Sequence, residues 1–165
     1  MSSFEFQYAR LTAQSPGCDP NKVQGNKPEF EPAFLAQCAG RIKPRPVYHA
    51  AMSIYCEDEV SMDELNLGMA NWGWKHVQAR HPCRAYKALE VARVAELATL
   101  MYLYPWQEEG RSARQCAAWV RVSRQTWAAK YSLLRDEITY ELQQMKSDAD
   151  TKLSKIMLEH REEID

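Results

Sequence analysis

Residues 111–134 read Arg-Ser-Ala-Arg-Gln-Cys-Ala-Ala-Trp-Val-Arg-Val-Ser-Arg-Gln-Thr-Trp-Ala-Ala-Lys-Tyr-Ser-Leu-Leu. This pattern predicts a helix, a tight turn and a second helix that opens on polar side chains. Two helices that cross steeply need a small residue where they touch. Ala117 supplies one five positions before Val122, which is placed to fill the inner corner of the hairpin. Ser123 suits the N-cap of the second helix, where its hydroxyl can accept from an otherwise unpaired backbone N–H. Glycine is common where Arg121 stands, because it relaxes a strained turn, so Arg121 is the one departure from the expected turn chemistry. Beyond the turn, Trp127, Tyr131, Leu134, Ile138, Leu142 and Met145 recur at intervals of four, three, four, four and three, which makes one apolar stripe on a long helix. The opposite face opens with Ser123, Arg124, Gln125, Ala128 and Ala129.

That arrangement is the pattern of a helix-turn-helix DNA reader, in which the start of the second helix meets base edges in the major groove. Arg124 has the fork geometry to pair with guanine and Gln125 to pair with adenine. Ala128 and Ala129 permit close approach or contact with a thymine methyl. Arg111, Arg114, Arg121 and Lys130 flank this face and suit phosphates, which would set register without reading sequence. An ordinary helical hairpin of a bundle is the structural alternative.

The whole chain carries a formal net charge of −1, which by itself argues against a polyanionic partner. The charge is unevenly placed. Residues 71–135 hold eleven Lys and Arg against four Glu, whereas residues 1–70 and 136–165 are each net acidic. The positive charge therefore surrounds the hairpin, where attraction to phosphate would be local and salt-sensitive.

At 165 residues and 45% hydrophobic content the chain is long enough for one domain with a core and an appended arm. With no basic-then-apolar leader, and only residues 97–104 forming a near-continuous apolar run, a soluble intracellular protein is expected. Five cysteines without a Cys-x-x-Cys pair fit reduced thiols in a cytoplasm. Six of the eight prolines fall between residues 16 and 46. Residues 1–46 are therefore predicted as an extended arm and connector with one short helix, opened by Pro32, carried by the run 33–38 and ended at Gly40. The connector 41–46 is basic and proline-stiffened, with Arg41, Lys43 and Arg45. From residue 47 the chain reads as helical, with a helix over 47–56 and a second started by a Ser61-x-x-Glu64 capping box. A third is expected over 86–104, stopped by Pro105. This helical body is expected to run to about residue 146. Residues 147–165 read as an acidic tail that frays. The fold class expected is mainly α.

Other chemistry is sparse. His76, His81 and Cys83 are close in sequence but match no zinc-ligand spacing, so no metal and no cofactor are expected. No phosphate loop or nucleophile elbow is present, which argues against an enzyme. Trp72 and Trp74, two apart, cannot share one helix face, so one is expected in the core and the other against a partner.

The segment from Tyr86 through Tyr104, and above all Arg121-Val122-Ser123-Arg124-Gln125-Thr126-Trp127 followed by Leu133-Leu134-Arg135-Asp136-Glu137, resembles the Q antitermination proteins of lambdoid bacteriophages, in their phage-21-like branch. The hairpin is similar to the sigma-factor region that reads the promoter −35 element. The resemblance implies a factor that binds a DNA element at a phage late promoter, engages sigma-containing RNA polymerase paused nearby, and suppresses pausing and termination. It further implies action by narrowing the RNA-exit channel, with nascent RNA threaded through, in the cytoplasm of a bacterial host and associated with its nucleoid. Under it the DNA contacts are Arg111, Arg114, Arg121, Ser123, Arg124, Gln125, Ala128 and Lys130, and Arg41, Lys43 and Arg45 are candidates for polymerase or RNA-channel contact. The paired Cys-x-x-Cys motifs of the lambda branch, which hold zinc, are not found here. A DNA-binding regulator acting at initiation and a non-enzymatic DNA-packaging adaptor are the alternative readings.

Overall fold

The computed structural model describes residues 32–105 and 112–162. Most of the predicted arm, residues 1–31, lies outside them, as does Arg111. In chain order the elements are α1 (Pro32–Ala39), α2 (Arg45–Cys56), α3 (Glu59–Arg80), α4 (Ala88–Leu103), α5 (Ala113–Val120) and α6 (Arg124–Thr126). A π-helical turn (Trp127–Tyr131) and α7 (Ser132–Glu162) continue α6 without a break. No strand occurs among the described residues, and the protein is mainly α. No helix of the described residues is long and apolar enough to cross a membrane.

Local chemistry places the helix ends. Pro46 sits in the first turn of α2, where a missing N–H costs nothing. Arg45 and Pro46 therefore belong to that helix and not to the predicted connector. Glu57, at a φ of 51° in the left-handed region, reverses the chain after α2. Asp58 then caps α3, its carboxylate accepting the Ser61 backbone N–H at 2.9 Å. The capping box expected at Ser61 and Glu64 is thus one turn too late. Ser61 is buried, and its hydroxyl lies 3.2 Å from His49 Nδ1 on α2, so its side chain links two helices.

Hydrogen bonds from the Ser61 hydroxyl and backbone, aided by His49, hold the Asp58 carboxyl below its ordinary range. A depressed carboxylate stabilises the fold above its unfolded pKa, and that contribution disappears as pH falls through the folded value. Wild type should accordingly be more stable than Asp58→Ala at neutral pH, with the gap in melting temperature narrowing as pH falls below the ordinary aspartate range.

Two clusters of buried side chains lie along the molecule. The first joins α3, α4, α5 and the start of the long C-terminal helix through Leu65, Met69, Val77, Val91, Val94, Leu97, Cys116, Val120, Trp127, Tyr131, Leu134, Ile138 and Leu142. Gly73 marks the point where α3 meets α4 and α7. A Cβ there would stand 3.3 Å from both Val91 Cγ1 and Ile138 Cδ1. Trp72 and Trp74 flank Gly73, and both pack against this core. In place of one core indole and one outward indole there are two half-buried ones, each keeping an exposed edge. The contact is centred on the glycine between them, so an indole can fold in from either side.

The second cluster joins α1, α2 and the far end of α7 through Leu35, Cys38, Ile42, Val47, Ala51, Tyr55, Ala149, Leu153 and Met157. Residues 147–162, predicted to fray as an acidic tail, are instead the last turns of a helix whose apolar stripe is buried. The acids there are neutralised along the helix: Lys146 meets Asp150 at 3.1 Å and Lys152 meets Asp148 at 3.3 Å, each four residues apart. At 1.5 Å per residue the 31 residues of α7 span about 46 Å, enough to run through both clusters.

Candidate nucleic-acid interface

The hairpin of α5 and α6 is set by backbone chemistry at both ends of α5. Ser112 Oγ accepts the Gln115 N–H at 3.1 Å while Gln115 Oε1 accepts the Ser112 N–H at 3.1 Å, a reciprocal capping box. At the other end Arg121 adopts a left-handed conformation with a φ of 63°. Its N–H donates to the Ala118 carbonyl at 3.2 Å, and the Val122 N–H donates to the Ala117 carbonyl at 3.0 Å. This is a Schellman motif, in which the residue after the left-handed one also makes an apolar contact. Val122 makes it by packing against the first core, beside the buried Ala117. Ala117 and Val122 are thus joined through the backbone at the turn and both face the first core.

Arg121 bears a strain that glycine would not. A left-handed non-glycine residue costs about 1–2 kcal/mol, partly offset by glycine's greater unfolded-state freedom. Arg121→Gly is expected to raise stability by roughly 0.5–1 kcal/mol in urea unfolding.

Ser123 is the N-cap of α6, accepting the Thr126 N–H at 3.0 Å through its hydroxyl. Trp127 and Tyr131 then turn into the core, and Arg135 stacks over the Trp127 ring at 5.6 Å. Arg124, Gln125, Ala128 and Ala129 are exposed, as are Arg114 and Arg121. The helix between Trp127 and Tyr131 is π-helical, a local widening often found at functional sites. Arg93 on α4 donates to the Val120 carbonyl at 3.4 Å and ties the end of α5 to the body.

Lys130, read from the sequence as a phosphate contact, also has a partner within the chain. Its ammonium donates to the Ala85 carbonyl at 2.7 Å and lies 5.9 Å from the centre of the Tyr86 ring. It anchors the segment between α3 and α4, residues 81–87, against the start of the long helix. Arg84 answers from the other side, donating to the Ala129 carbonyl at 3.4 Å. The Tyr86 ring meets Tyr131 edge-on at 5.7 Å. The Tyr131 hydroxyl in turn donates to Glu90, and burial, followed by that carboxylate, pushes it well above the ordinary tyrosine range. Sequence reasoning missed this segment because residues 45 apart meet there. The one signal was local, a run from Arg80 to Lys87 with three cations and no acid.

The remaining candidates lie apart from this surface. Arg41 and Lys43 are exposed between α1 and α2, and the Lys43 carbonyl accepts from Lys152. Arg45 lines an apolar groove of about 420 Å³ together with Pro46, His49, Leu67, Trp72 and Met145. His76 stacks on Trp72 at 4.5 Å and faces Glu137 at 3.1 Å, so it is held by the core and stands apart from Cys83. No group of three or more metal-ligating side chains occurs among the described residues. No protein family, curated protein or solved structure matches the chain.

Proposed function

We propose that α5, its Schellman turn and the start of α6 form a helix-turn-helix that reads duplex DNA, and that the protein is a transcription antitermination factor of the late-promoter type. The observation that carries the DNA reading is the exposed face of Arg124, Gln125, Ala128 and Ala129, raised on a helix whose opposite side is locked into the core by Trp127 and Tyr131. A forked guanidinium, a carboxamide and two methyl groups are the chemistry that major-groove base edges accept. Arg114 and Arg121 stand beside them for phosphates. Exposed apolar side chains at Trp119, Leu133 and Tyr140 offer anchors for a protein partner, consistent with RNA polymerase carrying sigma.

In this reading the hairpin brings the protein to a DNA element at the promoter, and the bound protein passes to the paused polymerase. There it narrows the RNA-exit channel so that a terminator hairpin cannot fold inside. The test is transcription by purified bacterial holoenzyme through a strong intrinsic terminator, on a template carrying the DNA immediately downstream of this protein's gene. Wild type is expected to give read-through that Arg124→Ala/Gln125→Ala loses, each truncation costing about 1–3 kcal/mol of specific binding. Specific DNA binding without read-through would overturn antitermination and favour a regulator acting at initiation.

A further inference from the structure

We propose that residues 80–87, the end of α3 and the segment leading to α4, are a second phosphate-binding site that grips the DNA backbone beside the bases read by α6. This inference rests on the duplex-DNA reading of the hairpin and extends its footprint to an element some 40 residues upstream in the chain.

The argument starts from placement. Arg84 reaches the Ala129 carbonyl at 3.4 Å, so its guanidinium borders the exposed surface that holds Ala128 and Ala129. One of its five N–H donors is engaged there, and the rest of the fork remains for a phosphate. Lys87 is 81% exposed along its side chain and only 3.9 Å from Glu90 at the edge of the same segment. Arg80 is exposed at the last residue of α3. Glu90, whose side chain is 18% exposed, divides its two oxygens between the Tyr131 hydroxyl and Lys87, and neither oxygen meets Arg80 or Arg84.

The segment is also held in place. Lys130 to the Ala85 carbonyl and Tyr86 against Tyr131 pin it to the start of the long helix, and His81 near Tyr86 at 6.2 Å braces it from within. Cations on a pinned segment lose little freedom on meeting an anion, which is what a backbone clamp requires. Helix-turn-helix proteins set their register through phosphate contacts on both sides of the reading helix. Arg114 and Arg121 supply one side and Arg80, Arg84 and Lys87 the other.

The experiment compares wild type with Arg80→Gln/Arg84→Gln/Lys87→Gln by fluorescence anisotropy. The probes are a labelled duplex carrying the DNA downstream of the gene and a scrambled duplex of equal length. Each lost phosphate contact lowers the slope of log affinity against log salt by about 0.9. The slope is therefore expected to fall by roughly two to three units on both duplexes, with the preference between them unchanged. Cys83, an exposed thiol inside the segment, provides a readout without substitution. Its alkylation, followed by mass spectrometry of its peptide, should slow when wild type is saturated with duplex. An unchanged salt slope together with unprotected Cys83 would overturn the clamp and leave the α6 reading intact. Failure of wild type to bind either duplex would overturn both.

Discussion

Trp127→Ala is expected to cost about 3–5 kcal/mol of stability, the range for truncating a large buried aromatic side chain. Trp127 is 2% exposed and sits one turn past the Ser123 cap, with its N–H bonded to the Ser123 carbonyl at 2.9 Å. Its indole fills the space between α5 and the rest of the first core, and Arg135 covers one face of the ring. Removing it leaves a cavity directly beneath Arg124 and Gln125. Urea unfolding should show the loss as a lower midpoint with an unchanged slope, and DNA affinity should fall although no proposed contact residue is altered. A midpoint within experimental error of wild type would refute the role assigned to this side chain. Replacing Trp127 with Phe, which retains much of the volume, should recover most of the stability.

Leu153→Ala is expected to destabilise by about 2–5 kcal/mol, a large effect for a residue in a stretch that composition alone marks as a polar tail. Leu153 is fully buried among Leu35, Ile42, Val47, Ala51 and Tyr55, on the face of α7 that also carries Ala149 and Met157. Calorimetry should show a lower melting temperature, and hydrogen exchange should report faster opening of α1 and α2 than of α4. Equal stability of wild type and variant would mean that residues 147–162 do not hold the second cluster together. Leu158, on the exposed side of the same helix, is the matched control, and Leu158→Ala should change stability by less than about 0.5 kcal/mol.

The contrast between these two residues shows where sequence reasoning succeeds. Around Trp127 the relevant signals are short-range: a cap, a left-handed turn and a stripe repeating every three or four residues. Ser123, Val122, Trp127, Tyr131 and Ile138 therefore take the places their spacing predicts. Around Leu153 the apolar residues are equally well spaced, but the acids Asp148 and Asp150 on either side of Ala149 mask the start of the stripe. Their charges are met by Lys146 and Lys152 along the helix, a pairing that composition does not display.

The exposure of the hairpin's polar face was legible to the same degree. Arg114, Arg121, Arg124, Gln125 and Ala128 are exposed around the hairpin, as their positions before and after the apolar stripe require. The bond from Lys130 to the Ala85 carbonyl is not legible in the sequence, because the two residues lie 45 positions apart. Arg84 was overlooked for the same reason, since nothing in its own neighbourhood points to Ala129.

By itself the sequence determined the helical class, the hairpin with its corner at Ala117 and Val122, and the cap at Ser123. It also determined which face of the following helix is apolar. All of these depend on interactions within a few turns of one helix or across one tight turn, where periodicity and capping chemistry carry the information. The tertiary structure decided that residues 147–162 close a second core and that both tryptophans around Gly73 pack half-buried against the first. It also decided that residues 81–87 stand beside the π-helical turn that follows α6. Each of these depends on surfaces brought together from distant parts of the chain, and the choice among such pairings is made by packing the whole molecule at once.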